Sequence, residues 1–378
     1  MLIAESEKGK QINLSCLSRH EINQLRKTEC YCPGCKEELI IKNGSIMMPH
    51  FAHKKNSLCL SFSENESEEH LKGKKIMADN CRKYKIEYEV EAYLPELNQR
   101  PDLLINHRIV IEFQCSPLSI ERFKERTLNY QSLGYQVIWI LGNKLQFKDK
   151  ISQLQRQFIY LSKEIGFYVW EMDVEAKTIQ NKYFLVSSVW QNFFQTRLFQ
   201  LEKENFLSIV RFPLEKHPKI SYEIRSRIAC EKRIDSWNRQ LNQKNKCTLS
   251  VQEYFYKKGL NIRNLPEIII LPSFQSVVLK EQEYIWRYQI YEFIRSNQKV
   301  TYQEIYEEIK GQNVESYCLI SFSQFVKYHL SLYLCFLIQN RLVIRRDDGY
   351  YYTGHKLDLK KSSQEFLGIP LKYGMINK

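Results

Sequence analysis

The most constraining stretch of this chain is residues 100–114, RPDLLINHRIVIEFQ, in which two aliphatic runs flank the polar residues Asn106, His107 and Arg108. Such a pattern predicts two antiparallel strands joined by a tight turn, and side-chain parity fixes their register. Pairing Ile105 with Ile109 places Leu103, Ile105, Ile109, Ile111 and Phe113 on one apolar face. Asp102, Leu104, Val110, Glu112 and Gln114 then share the other. Asp102 lies across from Glu112 in this register, with Cβ atoms about 4.5–5.5 Å apart. A slip of one residue would part the two acids. Carboxylates this close repel unless a cation stands between them, and the oxygen donors suit Mg²⁺ or Mn²⁺. The plainer reading makes them solvated acids on the outer face of an ordinary sheet, although a hairpin this apolar calls for covering helices.

The flanking segments supply those helices. Residues 63–145 read as helix, three strands, helix and strand, the order of a mixed α/β domain. In the first helix Leu71, Met77, Ala78 and Cys81 fall on one side, and His70, Lys74 and Glu66 point the same way. The second helix begins at Ser116 and Pro117, ends at Gly134 and buries Ile120, Phe123, Thr127 and Tyr130. Arg126 borders that stripe, one turn from Tyr130. An arginine there can clamp a phosphate, with the tyrosine ordering it or stacking on a base. The plain alternative is a core tyrosine and a surface ion pair.

Ahead of this domain stand Cys30, Cys32 and Cys35, then His50, His53 and Cys59. Cys32 and Cys35 form a C-x₂-C knuckle, and His50 and His53 supply the remaining corners of a tetrahedron, with Cys30 or Cys59 as substitutes for one histidine. A hairpin turning at Asn43 and Gly44 lies between the pairs. The layout is zinc-ribbon-like, with Zn²⁺ standing in for a core that some sixty residues can scarcely build. A closed site of four protein ligands is structural rather than catalytic.

Lys and Arg total 56 against 43 Asp and Glu, a net charge of +13, which favours an anionic partner over a neutral metabolite. The longest apolar runs are strand-length, so no membrane span is expected. Eleven cysteines without an export signal point to reduced thiols or metal ligands in the cytoplasm. Residues 146–280 read as a mostly helical connecting region. Beyond them, 284–295, 301–310 and about 321–339 read as three helices, followed by a hairpin at 342–352 with an Asp-Gly turn, the order of a winged helix. The last twenty residues read as a loose tail. Four parts are therefore expected: 1–62 zinc-ribbon-like, 63–145 mixed α/β, 146–280 connecting, and 281–378 helical, winged-helix-like, with the tail.

Pro101 and Asp102, then Glu112 and Gln114, then a helix and the strand at 137–141, resemble the PD-(D/E)xK nuclease core. RPDLLI at 100–105, IEFQ at 111–114, VIWILG at 137–142, CPGC at 32–35 and PHFAH at 49–53 more closely resemble the competence protein CoiA family. The resemblance covers roughly residues 1–145. It implies a role in natural transformation, with single-stranded or recombining DNA as substrate and recombination proteins as possible partners. It further implies metal-dependent phosphodiester hydrolysis, in which Asp102, Glu112 and the Phe113 carbonyl hold Mg²⁺, Gln114 positions water, and Lys74 and Arg126 contact phosphate. The nuclease pattern has lysine where this chain has Gln114, which can orient water but carries no charge. Lys74, beside His70, is the candidate replacement. The alternatives are a nuclease-like DNA-binding mediator without turnover and a winged-helix transcription regulator.

Overall fold

A computed structural model describes residues 1–44, 47–55, 57, 59, 67–189, 191–211, 220–224, 226–311, 317–357 and 363–367. Glu66 lies outside them. The chain divides into two units, one of Met1–Phe147, Val169–Asn181 and Thr196–Pro213, the other of Lys148–Tyr168, Lys182–Gln195 and Leu214–Lys378.

The first unit opens with β1 (Ile3–Ser6), β2 (Gln11–Asn13), β3 (Cys30–Tyr31), β4 (Glu38–Lys42) and β5 (His50–His53), an antiparallel sheet in the order β2-β1-β3-β4-β5. Helix α1 (Arg19–Leu25) starts where Ser18 and Glu21 form a reciprocal capping box. Met1, Ala4, Leu14, Ile22, Leu39 and Phe51 pack with Cys30 and Cys32 into a small core. With a core of eight buried residues, a module of this size would gain stability from a metal.

Next come α2 (Glu68–Lys83), β6 (Tyr88–Val90), β7 (Leu103–Ile105), β8 (Ile109–Gln114), α3 (Ile120–Ser132) and β9 (Gln136–Leu141). Ile105 pairs with Ile109 and Leu103 with Ile111, the register that parity dictates. β8 then runs parallel to β9, joined through α3 in a βαβ unit. All six residues of β8 are buried, because helices cover both faces. On one side Gly73 of α2 lies so close to Phe113 that a β-carbon would collide with its ring. On the other, Phe123 of α3 packs on Trp139 with ring centroids 5.0 Å apart. The N-cap of α3 is Ser119, which accepts from Arg122 N, rather than Ser116. Ser116 instead offers its carbonyl to Gln114, which holds that residue out of the helix.

Residues 146–280 are helical only in part, chiefly at Ser226–Asn242 and Lys246–Lys257. They contain β10 (Tyr160–Ser162), β11 (Gly166–Asp173), β12 (Thr178–Ser187) and β13 (Asn192–Gln200), strands rich in aromatic and β-branched residues. In the first unit Trp170 and Glu171 of β11 extend the sheet in parallel past Ile140 and Leu141 of β9. In the second unit β10 pairs with the start of β11, and Val186 and Ser187 pair with Ser276 and Gln275.

The second unit also holds helices Gln282–Asn297, Tyr302–Lys310 and Phe322–Gln339 and a three-stranded sheet. In that sheet Gly349–Tyr352 lies between Lys299–Val300 and Val343–Arg346. Arg346 pairs with Gly349, so the turn residues are Asp347 and Asp348, one position earlier than an Asp-Gly turn. Gly349 has φ +150°, and a β-carbon on it would lie 2.7 Å from the Val300 carbonyl oxygen. The glycine therefore serves the close approach of the neighbouring strand. Part of the expected loose tail is a strand, Ser363–Leu367, antiparallel to Ile220–Ile224. Among the described residues no helix is long and apolar enough to cross a membrane.

Candidate metal centre and acidic cluster

Cys32, Cys35, His53 and Cys59 bring one ligand atom each to within 4.8 Å of one another. The knuckle is closed by two main-chain bonds, Cys32 N to Glu37 O and Lys36 N to Cys32 O, with Lys36 at φ +58°. Cys35 Sγ lies 3.3 Å from His53 Nε2. Burial pushes the Cys35 thiol up to about 12, and the neighbouring Cys59 and Cys32 thiols add to this. Three sulfurs with one imidazole are a donor set that can hold Zn²⁺. His50 does not belong to this group. Residues 50 and 53 are three apart on a strand, so alternation turns their side chains to opposite faces. His50 Nδ1 sits 2.9 Å from the Met48 carbonyl, and Cys59 takes its corner.

The acidic cluster is built where α2 and α3 meet the β7–β8 hairpin. Asp102 Oδ2 lies 2.9 Å from His70 Nε2 and accepts from the Phe113 amide at 2.7 Å. Lys74 Nζ is 3.8 Å from Asp102 Oδ1. Glu112 Oε1 accepts from Tyr130 Oη at 2.7 Å and from Arg126. Asp102 is 8% exposed and Glu112 4%, so neither is a solvated acid on an outer face. Gln114 donates from its amide to the Ser116 carbonyl at 2.7 Å, which fixes the side chain.

Their surroundings drive the two carboxyls apart. Burial raises Asp102, but the His70 ring, Lys74 and the Phe113 amide outweigh it and hold the group below its ordinary 3.8. Burial raises Glu112 and the Asp102 charge adds to it; Arg126 and Tyr130 offset this only in part, leaving the group above its ordinary 4.5. One acid that ionises early beside one that ionises late is an arrangement suited to acid–base and metal chemistry.

Two features differ from the sequence reading. Tyr130 is fully buried, with no face open for a base to stack on, and both it and Arg126 bond to Glu112. A third acid, Glu91, joins the cluster. It is 3% exposed, accepts from Lys74 Nζ at 2.6 Å and lies 3.9 Å from Arg100. Glu91 was legible only through register: Val90 pairs with Leu103, so its successor falls beside Asp102. Three carboxylates are thus met by Lys74, Arg100 and Arg126, with His70 in addition. Charge balance alone does not require a divalent ion here, because the protein supplies its own cations. Carboxylate oxygens are nonetheless donors that suit a hard cation.

Residues 66–212 match the family model described as competence protein CoiA, nuclease-like domain, and residues 14–62 match the one described as competence protein CoiA, N-terminal domain. Over 129 residues the chain is 33% identical to the competence protein CoiA of Bacillus subtilis (strain 168), a stretch that is 33% of this chain and 35% of that protein. The aligned region therefore spans about a third of the relative's length. No solved structure matches. With the cysteine and histidine cluster inside one matched domain and the acidic cluster inside the other, the chain belongs to the competence protein CoiA family.

Proposed function

We propose that this chain is a metal-dependent deoxyribonuclease of the PD-(D/E)xK type, acting in the cytoplasm on incoming single-stranded or recombining DNA during natural transformation. The observation that carries the reading is convergence. Asp102 with His70 and Lys74, and Glu112 with Arg126 and Tyr130, form two buried groups on the same hairpin, drawn from two helices, and the charge of Asp102 acts on Glu112. In this reading Asp102 and Glu112 hold Mg²⁺ or Mn²⁺, with the Phe113 carbonyl as a third oxygen. The ion would polarise the phosphate and acidify a bound water. Gln114 orients that water and Lys74 supplies the positive charge that glutamine lacks. His70 keeps Asp102 ionised and aimed, while Arg126 and Tyr130 do the same for Glu112.

Mn²⁺- or Mg²⁺-dependent cleavage of single-stranded and duplex oligonucleotides tests this. Asp102→Ala and Glu112→Ala should each lower the rate by about 10³-fold or more. Cleavage that persists in either variant removes these residues from the mechanism.

A second reading is favoured by the cluster's own charge balance: a DNA-binding recombination mediator that keeps the nuclease-like core without turnover. Salt-sensitive, metal-independent DNA binding with no cleavage would select it. In either case the three helices and three strands of residues 282–352, which have the order of a winged helix, offer Arg345 and Arg346 for phosphate contact. The transcription-regulator alternative rests on that module alone. Zn²⁺ in the N-terminal cluster would be structural.

A further inference from the structure

The nuclease reading uses Lys74 but does not explain what holds it in place. Lys74 is fully buried on α2, and a buried ammonium needs a paired, hydrogen-bonded partner to stay charged. Glu91 pairs with it at 2.6 Å, closer than Asp102 at 3.8 Å. Glu91 is itself held in an unusual way. Its carboxylate accepts from the main-chain amide of Leu2 at 2.9 and 3.0 Å and from that of Ile3 at 3.1 Å. Its backbone sits at φ +50°, a left-handed conformation that a non-glycine residue keeps only where its surroundings over-determine it. The Glu91 amide donates to the Asp102 carbonyl at 3.1 Å, which ties the two acids side by side.

We propose that Glu91, gripped by the Leu2 and Ile3 amides, is the positioning residue that fixes Lys74 against Asp102. The inference rests on the nuclease reading for its catalytic consequence and on geometry alone for the clamp. It makes the opening strand of the cysteine- and histidine-bearing region part of the active-site support. That strand is in turn tied to β5, which carries His53, through the bond from the Phe51 amide to the Met1 carbonyl at 2.8 Å. The positive charge is then placed by two segments distant in sequence, and neither touches the reacting atoms.

The test compares the full-length wild type with Glu91→Gln, Glu91→Asp and Lys74→Ala. In the Mn²⁺ cleavage assay Glu91→Gln should lower kcat by about 10- to 100-fold, the cost typical of losing an outer-shell partner, with KM for DNA within about twofold of wild type. Glu91→Asp, which keeps the charge, should recover part of the loss. Unchanged kcat, or a loss confined to KM, overturns the assignment. A second arm needs no activity. In Glu91→Gln the Leu2 and Ile3 amides should exchange with deuterium faster, and Lys74 should become reactive toward an amine-directed acylating reagent. Wild-type protection of both overturns the clamp. If the wild type cleaves nothing, the nuclease reading fails on its own, and the exchange and acylation results still decide whether Glu91 holds Lys74.

Discussion

At the scale of single residues, the cluster turns on which side chain supplies positive charge beside Asp102. The nuclease pattern puts a lysine where this chain has Gln114, and the structure puts Lys74 within 3.8 Å of Asp102 from a helix instead. If the charge has migrated, its two sources should be partly interchangeable. Lys74→Ala should cost about 10²-fold in cleavage rate, and adding Gln114→Lys to that variant should recover about tenfold of it. Steady-state kinetics of the two variants checks this, and a double variant as slow as Lys74→Ala would refute the substitution. The sequence disclosed Asp102, Glu112, His70 and Lys74 because helical and strand periodicities each place a side chain on a face. It did not disclose the work of Tyr130, because periodicity tells that a residue is buried but not which buried group it touches.

At the scale of elements, strand parity explains both the best and the poorest of the readings from sequence. It fixed the β7–β8 register, since one slip would have turned an apolar face to the wrong side. Applied to β5 it would have excluded a His50–His53 ligand pair, whose spacing suits a helix or a loop better than a strand. The expected consequence is measurable as metal content after purification. His53→Ala and Cys59→Ser should lose most of about one bound zinc per chain, and His50→Ala should retain it. Retention by the first two variants would show that the ligands lie elsewhere. The β10–β13 strands escaped notice for a different reason. Buried residues of β11 and β12 fall on both faces and mix apolar side chains with Glu171, Asn181 and Lys182, so the alternation that distinguishes a strand from a buried helix is missing.

At the scale of the whole molecule, the two units differ in what stabilises them. The first gathers its charges into the acidic cluster and its thiols into a candidate metal centre. The second is held by an aromatic core in which Phe167, Trp286, Phe325 and Tyr328 surround His329, itself 5% exposed. Burial holds that imidazole below its ordinary 6.5, partly offset by Glu283 and the Phe325 carbonyl. A histidine depressed in the folded state takes up its proton first in the unfolded chain. Stability is therefore complete above 6.5 and lost as pH falls below it toward the folded value, with a limiting slope of about 1.4 kcal/mol per pH unit. Urea unfolding followed by tryptophan fluorescence should show this decline in the wild type and a flatter profile in His329→Phe. An equally steep decline in the variant would assign the effect to other groups.

Glu91 directly follows β6, Asp102 directly precedes β7 and Glu112 lies in β8, three strands hydrogen-bonded in that order. Neighbouring strands keep a lateral spacing of about 4.8 Å whatever their side chains are. The peptide backbone thus acts as a ruler for these acids. Substitution can erase a graduation or change its charge, but only a shift of a whole strand can alter the interval between two of them.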